Sequence, residues 1–123
     1  MSNLIIWFDL PVKNLDRAIR FYSGVLGRPA QKQEMPGMSF AVLHDEKDEA
    51  AGCLTPGGEG DELKPSADGV MAYFNCQGRL DEAIDMVEVN GGKVLRPKHP
   101  IGPYGFRALA LDSEGNRIAL HSM

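Results

Sequence analysis

Two short runs carry the residues with chemistry to offer. In "LIIWFDLPV", Trp7, Asp9 and Pro11 alternate with apolar neighbours, and in "NRIALHS", Arg117, Ala119 and His121 alternate with Ile118 and Leu120. Strand side chains point alternately to the two faces of a sheet, so each run gathers its polar and aromatic members on one side. If the two runs meet, Asp9 and His121 make an acid–base pair suited to proton transfer near neutral pH, and these are the catalytic candidates. With Cys53 they form a mixed ligand set that zinc accepts. With aromatic residues around them they form a binding pocket instead: Trp7, Phe74 (or its neighbour Tyr73) and Tyr104 stack on an apolar or planar molecule, while Asp9, Arg117 and His121 fix its polar end. Cys53 completes that lining.

Each candidate also has a purely structural use. Trp7 can fill a core, Asp9 can pair with Arg117, and His121 can stand solvated two residues from the C-terminus. Cys53 reads as an inert buried thiol, since a nucleophile needs a nearby base and a lowered pKa. Tyr104, between Gly102-Pro103 and Gly105, reads as a rim residue on a tight turn. "HDEKDEAA" (44–51) reads as a solvated turn, and His44 and His99, in or beside loops, carry no assignment.

The elements that must position these residues follow from periodicity. In "NLDRAIRFYSGVLG", Leu15, Ala18, Ile19, Tyr22, Val25 and Leu26 share a helical face, Asn14 caps the start and Gly27 ends it. In "RLDEAIDMVEVNGG", Leu80, Ala83, Ile84 and Val87 share a face and Gly91-Gly92 stops the helix. Leu15, Asp16, Ala18, Ile19 and Gly27 recur as Leu80, Asp81, Ala83, Ile84 and Gly92, all shifted by the same 65 residues. Each helix follows one strand-like run and precedes three: "AQKQE", "MSFAVLH" and "AAGCLTP" after the first, "KVLRP", "GFRALALD" and "NRIALHS" after the second. The pattern predicts a duplicated, β-rich α+β domain over 1–123: one βαβββ module over about 1–56, a Gly, Pro and acid-rich linker over about 57–68, and a second module over about 69–123. With a helix on one face of each sheet, the other faces are expected to curl around a shared cleft.

Composition narrows the function classes. A net charge of −4 with no basic patch argues against nucleic acid. No run approaches the ~20 apolar residues of a spanning helix, and the start has no basic region of the kind that opens a signal peptide. A cytoplasmic protein with no membrane contact is expected, and two cysteines, Cys53 and Cys76, do not suggest a disulfide framework.

The duplicated pattern, with "VKNLDRAIRFYSGVLG" (12–27) and "DSEGNRIAL" (112–120), resembles the vicinal oxygen chelate superfamily, which contains glyoxalase I, bleomycin- and fosfomycin-resistance proteins and extradiol dioxygenases. "MPGMSFAVL", "KPSADGV" and "PIGPYGF" are similar to a branch of predicted lactoylglutathione-lyase-like proteins. In metal-using members, ligands on the first, fourth, fifth and eighth strands hold a divalent cation. The resemblance places Trp7, Cys53, Val70 or Met71, and Ala119 at those positions here. Indole has no lone pair to give, and alanine and valine have none either. The resemblance therefore implies no metal and no cofactor, a divalent cation through Asp9, Cys53 and His121 being the lesser alternative. It further implies a small-molecule ligand bound as in the bleomycin-resistance proteins, with a lyase- or isomerase-like enzyme as the other reading and a dioxygenase behind it. It also implies a homodimer, the cleft being completed within one chain or across the pair.

Overall fold

Asn14 starts the first helix, α1 (Leu15–Leu26), by accepting the Arg17 backbone N–H on its side-chain oxygen at 3.0 Å. Gly27 ends it in the left-handed conformation at φ 74°, a backbone that favours glycine. The second helix, α2 (Leu80–Val89), runs to Asn90, and Gly91 turns the chain away. These starts keep the 65-residue offset of the sequence. α1 buries Ala18, Phe21, Tyr22 and Val25, and α2 buries Leu80, Ala83 and Val87.

The structure, a computed structural model, describes residues 4–44, 47, 49–57 and 63–123. Around the helices run eight strands: β1 (Asp9–Pro11), β2 (Gln31–Met35), β3 (Met38–His44), β4 (Ala50–Thr55), β5 (Ala72–Asn75), β6 (Lys93–Pro100), β7 (Phe106–Leu111) and β8 (Arg117–Ser122). They form two four-stranded sheets of identical topology, β1-β4-β3-β2 and β5-β8-β7-β6, in which only the β1–β4 and β5–β8 pairings are parallel. The domain is thus α+β with two βαβββ modules, as the repeat predicts. Two expectations change. The first strand is shorter than "LIIWFDLPV": Leu4, Ile5 and Ile6 are 97, 72 and 79% exposed and precede β1. Parts of the linker (58–62) and of the 44–51 turn (45, 46 and 48) lie outside the described residues.

A single core joins the modules. Leu10, Ala41, Leu43 and Leu54 on one side of the first sheet, and Phe74, Ala110, Ile118 and Leu120 on one side of the second, pack with both helices. Phe74 bridges them, its ring 6.0 Å from that of Phe8 and 5.3 Å from that of Tyr22.

The β7–β8 turn fastens the second module to the start of α1. Glu114, whose side chain is fully buried, accepts the Lys13 and Asn14 backbone N–H groups at 2.8 Å each and the Arg17 guanidinium at 2.7 and 2.9 Å. Beside it, Asp112 accepts the Tyr22 hydroxyl at 2.5 Å, the Glu114 and Asn116 backbone N–H groups, and the Asn116 amide. Asn116 also donates to the Pro11 carbonyl at 2.7 Å. Burial together with the Asp112 carboxylate pushes the Tyr22 phenol well above its ordinary range. Burial alone would raise Glu114, but the bonds from Arg17, Asn14, Ser113 and Lys13 outweigh it and hold the carboxyl at about 2.

Glu114 returns to its ordinary value near 4.5 on unfolding. The unfolded chain therefore binds more protons than the fold between about 4.5 and about 2, and stability is lost as pH falls through that window. Glu114→Gln should destabilise by about 2 kcal/mol at neutral pH and flatten the acid limb of the stability curve. Urea denaturation at stepped pH reads both, and a Gln variant as acid-sensitive as the wild type would refute the assignment.

Candidate functional site

On each sheet the face away from the core is the one available for ligand chemistry. On the first sheet, Asp9 of β1, Cys53 of β4 and Val42 of β3 stand abreast. Trp7, just ahead of β1, donates its indole N–H to Asp9 Oδ1 at 2.9 Å, and the Cys53 thiol donates to the same oxygen at 3.3 Å. The expected Asp9–Arg117 pair does not form; Asp9 is occupied by Trp7 and Cys53. Burial, reinforced by the Asp9 carboxylate, pushes the Cys53 thiol up to about 12. A thiol so protonated is a hydrogen-bond donor and not a nucleophile.

The second sheet's outer face holds the cavity. Tyr73, Ala119 and Leu109 stand abreast, and next to them Asn75, His121, Arg107 and His99 form a row across all four strands. The segment Ile101–Gly105, which contains a short 3-10 turn (Gly102–Tyr104), arches over one end of this face. It is pinned there twice. His121 donates its Nε2–H to the Tyr104 carbonyl at 2.6 Å. Gly105, at φ 91°, lies so close to the end of β8 that a Cβ would sit 2.3 Å from the Ser122 carbonyl oxygen. Between segment and sheet lies a cavity of about 530 Å³, wide open to solvent, lined by Tyr73, Ile101, Tyr104, Arg107 and His121.

The sequence-derived candidates therefore divide. Tyr104 and His121 meet in the cavity, whereas Trp7, Asp9 and Cys53 meet on the other sheet. No hydrogen bond or ion pair joins Asp9 to His121, so the proposed acid–base pair is not assembled within the described chain. Phe74 faces the core, and Tyr73, one residue away in the alternation, takes the position beside His121, its ring 6.2 Å from the imidazole. Arg117 shares the outer face with His121, without lining the cavity, and its Nε is buried and unpartnered. Ala119 is fully buried although it stands on that face, so the longer side chains around it close over the position. Arg107 and Ile101 were not among the candidates, and His99, placed in or beside a loop and given no assignment, lies within β6. The signal was in "FRALAL": the alanines 108 and 110 turn inward against the core, which sends Arg107 and the leucines outward.

Of the positions that the resemblance assigns to metal ligands, Trp7, Val70 and Ala119 offer a cation no lone pair, Met71 offers only a thioether, and Cys53 holds its thiol proton against Asp9. Trp7 spends its one polar hydrogen on Asp9, Val70 is fully exposed ahead of β5, and the residue abreast of Ala119 is Tyr73. Among the described residues, no group of three or more His, Cys, Asp and Glu side chains is arranged to hold a metal, the Asp9, Cys53 and His121 set included. None of the helices described is long and apolar enough to cross a membrane.

The Glyoxalase/Bleomycin resistance protein/Dioxygenase superfamily model matches residues 4–120. No curated protein matches the chain. Among solved structures, a glyoxalase/bleomycin resistance protein from Albidiferax ferrireducens superposes with TM-score 0.77 at 18% identity, covering 98% of this chain and 99% of that one. A mutant of glyoxalase I from Zea mays gives TM-score 0.72 at 22% identity, over 94% of this chain and 45% of that one. A genomically encoded fosfomycin resistance protein from Listeria monocytogenes gives 0.64 at 17%, over 100 and 94%. At these identities the likeness is one of fold.

The Cys53 geometry predicts its own behaviour. Iodoacetamide at pH 8 should alkylate Cys53 in the native protein at least about a hundredfold more slowly than a free thiol. Peptide mapping by mass spectrometry follows it, and alkylation at the free-thiol rate would contradict the Asp9 bond and the burial.

Proposed function

Because this chain belongs to the glyoxalase/bleomycin resistance protein/dioxygenase superfamily, we propose that it binds a small organic molecule, without a metal, in the cavity of its second module. The carrying observation is the cavity itself: about 530 Å³, with aromatic and aliphatic walls from Tyr73, Tyr104 and Ile101 and two polar groups, Arg107 and His121, converging on it. Small-molecule sites have that composition, apolar walls with a few placed polar groups. The metal-free part of the reading is supported by the donor set, which offers indole and methyl groups where a cation needs lone pairs and, at Cys53, a thiol that burial and Asp9 keep protonated. Binding is favoured over acid–base catalysis because His121 Nε2–H is committed to the Tyr104 carbonyl and Asp9 lies with Trp7 and Cys53.

The same reading includes a homodimer and a cytoplasmic setting. Among the described residues β1 and β5 each pair with one strand and leave a sheet edge uncovered. The exposed Leu4, Ile5 and Ile6 precede one edge and the fully exposed Val70 the other. A second copy of the chain is the partner such edges suit, since uncovered edges and apolar runs otherwise promote aggregation. The two free, buried thiols accord with a reducing compartment.

Three measurements test this. Amide NMR spectra with a fragment library should shift residues 73, 101, 104, 107 and 121; a library that leaves them unmoved would remove the site. Protein offered Ni, Zn, Mn and Fe(II) and then desalted should retain well under one equivalent of metal, one full equivalent being the contrary result. Light scattering should give a dimer that Ile6→Glu converts to monomer, and a monomeric wild type would end the dimer proposal.

A further inference from the structure

We propose that Arg107 is an anion anchor and that the cavity takes an organic monoanion, a carboxylate on an apolar, planar body. The inference rests on the reading of this cavity as a ligand site and adds the chemistry of the ligand. Arg107 stands in the middle of the outer row, directly opposite His121 on one side and His99 on the other. Its Nε–H donates to His99 Nε2 at 3.0 Å, and one Nη1–H donates to the Tyr73 hydroxyl. A guanidinium cannot accept, so His99 Nε2 must be the unprotonated nitrogen. The proton then sits on Nδ1, which is 2.8 Å from the Pro97 carbonyl and donates to it. Both His99 contacts are satisfied in that one neutral tautomer, which fixes the imidazole and, through it, the guanidinium.

Both groups that hold Arg107 are neutral. Arg107 enters no ion pair among the described residues, unlike Arg17, Lys32 and Lys98. Among the described residues no acidic side chain lines the cavity, although the protein as a whole carries a net charge of −4. Arg107 therefore presents an oriented, uncompensated positive charge at a cavity wall, with three of its five N–H donors free of protein partners. Nη2 keeps both of its N–H groups, and a carboxylate accepts charge-assisted hydrogen bonds from them. One cation suits a monoanion. The other polar lining group, His121, has its Nε2–H spent on Tyr104 and adds no second free donor of that kind. Tyr73, Tyr104 and Ile101 supply the surface for the apolar body. Tyr73 serves twice, as wall and as acceptor, and its ring lies 6.0 Å from the guanidinium carbon. His99 does not reach the ligand in this scheme; it is a positioning residue.

The test uses a matched pair of probes, 2-naphthoate and 2-naphthamide, which share shape and differ in charge. Titration calorimetry gives their affinities, and amide NMR gives their place. Wild type should bind the acid about tenfold more tightly than the amide, as loss of a charge-assisted contact implies. Arg107→Gln should level the two, the acid losing its excess over the amide. His99→Phe should lower the acid preference, and His99→Gln, whose side-chain carbonyl can accept from Arg107 Nε, should restore it; a merely structural histidine would not follow that pattern. If Arg107→Gln fails to fold, the wild-type ratio and the two His99 variants still decide. Equal binding of acid and amide at the cavity amides, or a preference that survives in Arg107→Gln, overturns the anchor and leaves the ligand site standing. If neither probe moves the amides of 73, 104, 107 and 121, the ligand-site reading falls with it.

Discussion

The contact that makes one domain of two modules is the burial of the Glu114 carboxylate against the start of α1. Two backbone N–H groups just ahead of the helix, those of Lys13 and Asn14, would otherwise be left without partners in a closed environment, and Glu114 Oε1 takes both. Its negative charge also sits at the helix end where the peptide dipoles favour an anion. Arg17 closes the arrangement from the solvent side. Asp112 and Asn116, from the same five-residue turn, tie Tyr22 of α1 and the Pro11 carbonyl of β1 to the second module. With the turn in place, α1 and α2 pack together, and one core includes the inner faces of both sheets. Everything on the outer faces is positioned from that junction outward.

The outer faces then differ in what they offer. The first carries Asp9, which accepts from both the indole and the thiol on one of its two carboxylate oxygens, Oδ1. On the second face an arched segment and a charge remain uncovered. His121 illustrates how one side chain decides between roles. By holding the Tyr104 carbonyl it builds the cavity roof, and the same bond takes away the proton it would need to act as an acid at Nε2.

Much of this architecture was readable in residue order, because repetition and periodicity are properties of order. The constant 65-residue offset predicted two modules of equal topology, and Asn14 and Gly27 marked helix ends by chemistry that acts within four residues. The site was less legible for a specific reason. Which of Tyr73 and Phe74 faces outward depends on a one-residue register, and β5 begins later than the apolar run does. Arg107 and His99 are eight residues apart and meet only through the β6–β7 pairing, which is interrupted by two register shifts. The Asp112, Glu114 and Asn116 turn was visible as a motif, but its partners lie about a hundred residues away, so that its load on the fold could not be read from spacing.

The strict alternation along β5, β7 and β8 has a consequence for how such a chain diverges. Phe74, Ala108 and Leu120 point to the core, and their immediate neighbours Tyr73, Arg107 and His121 point away. Inherited changes at the second set remodel the outer face while leaving the first set, and hence foldability, nearly untouched. Drift can thus rework this face one codon at a time on an unchanging scaffold, whereas the codons of Asp112, Glu114 and Asn116 are bound to the fold by their buried partners.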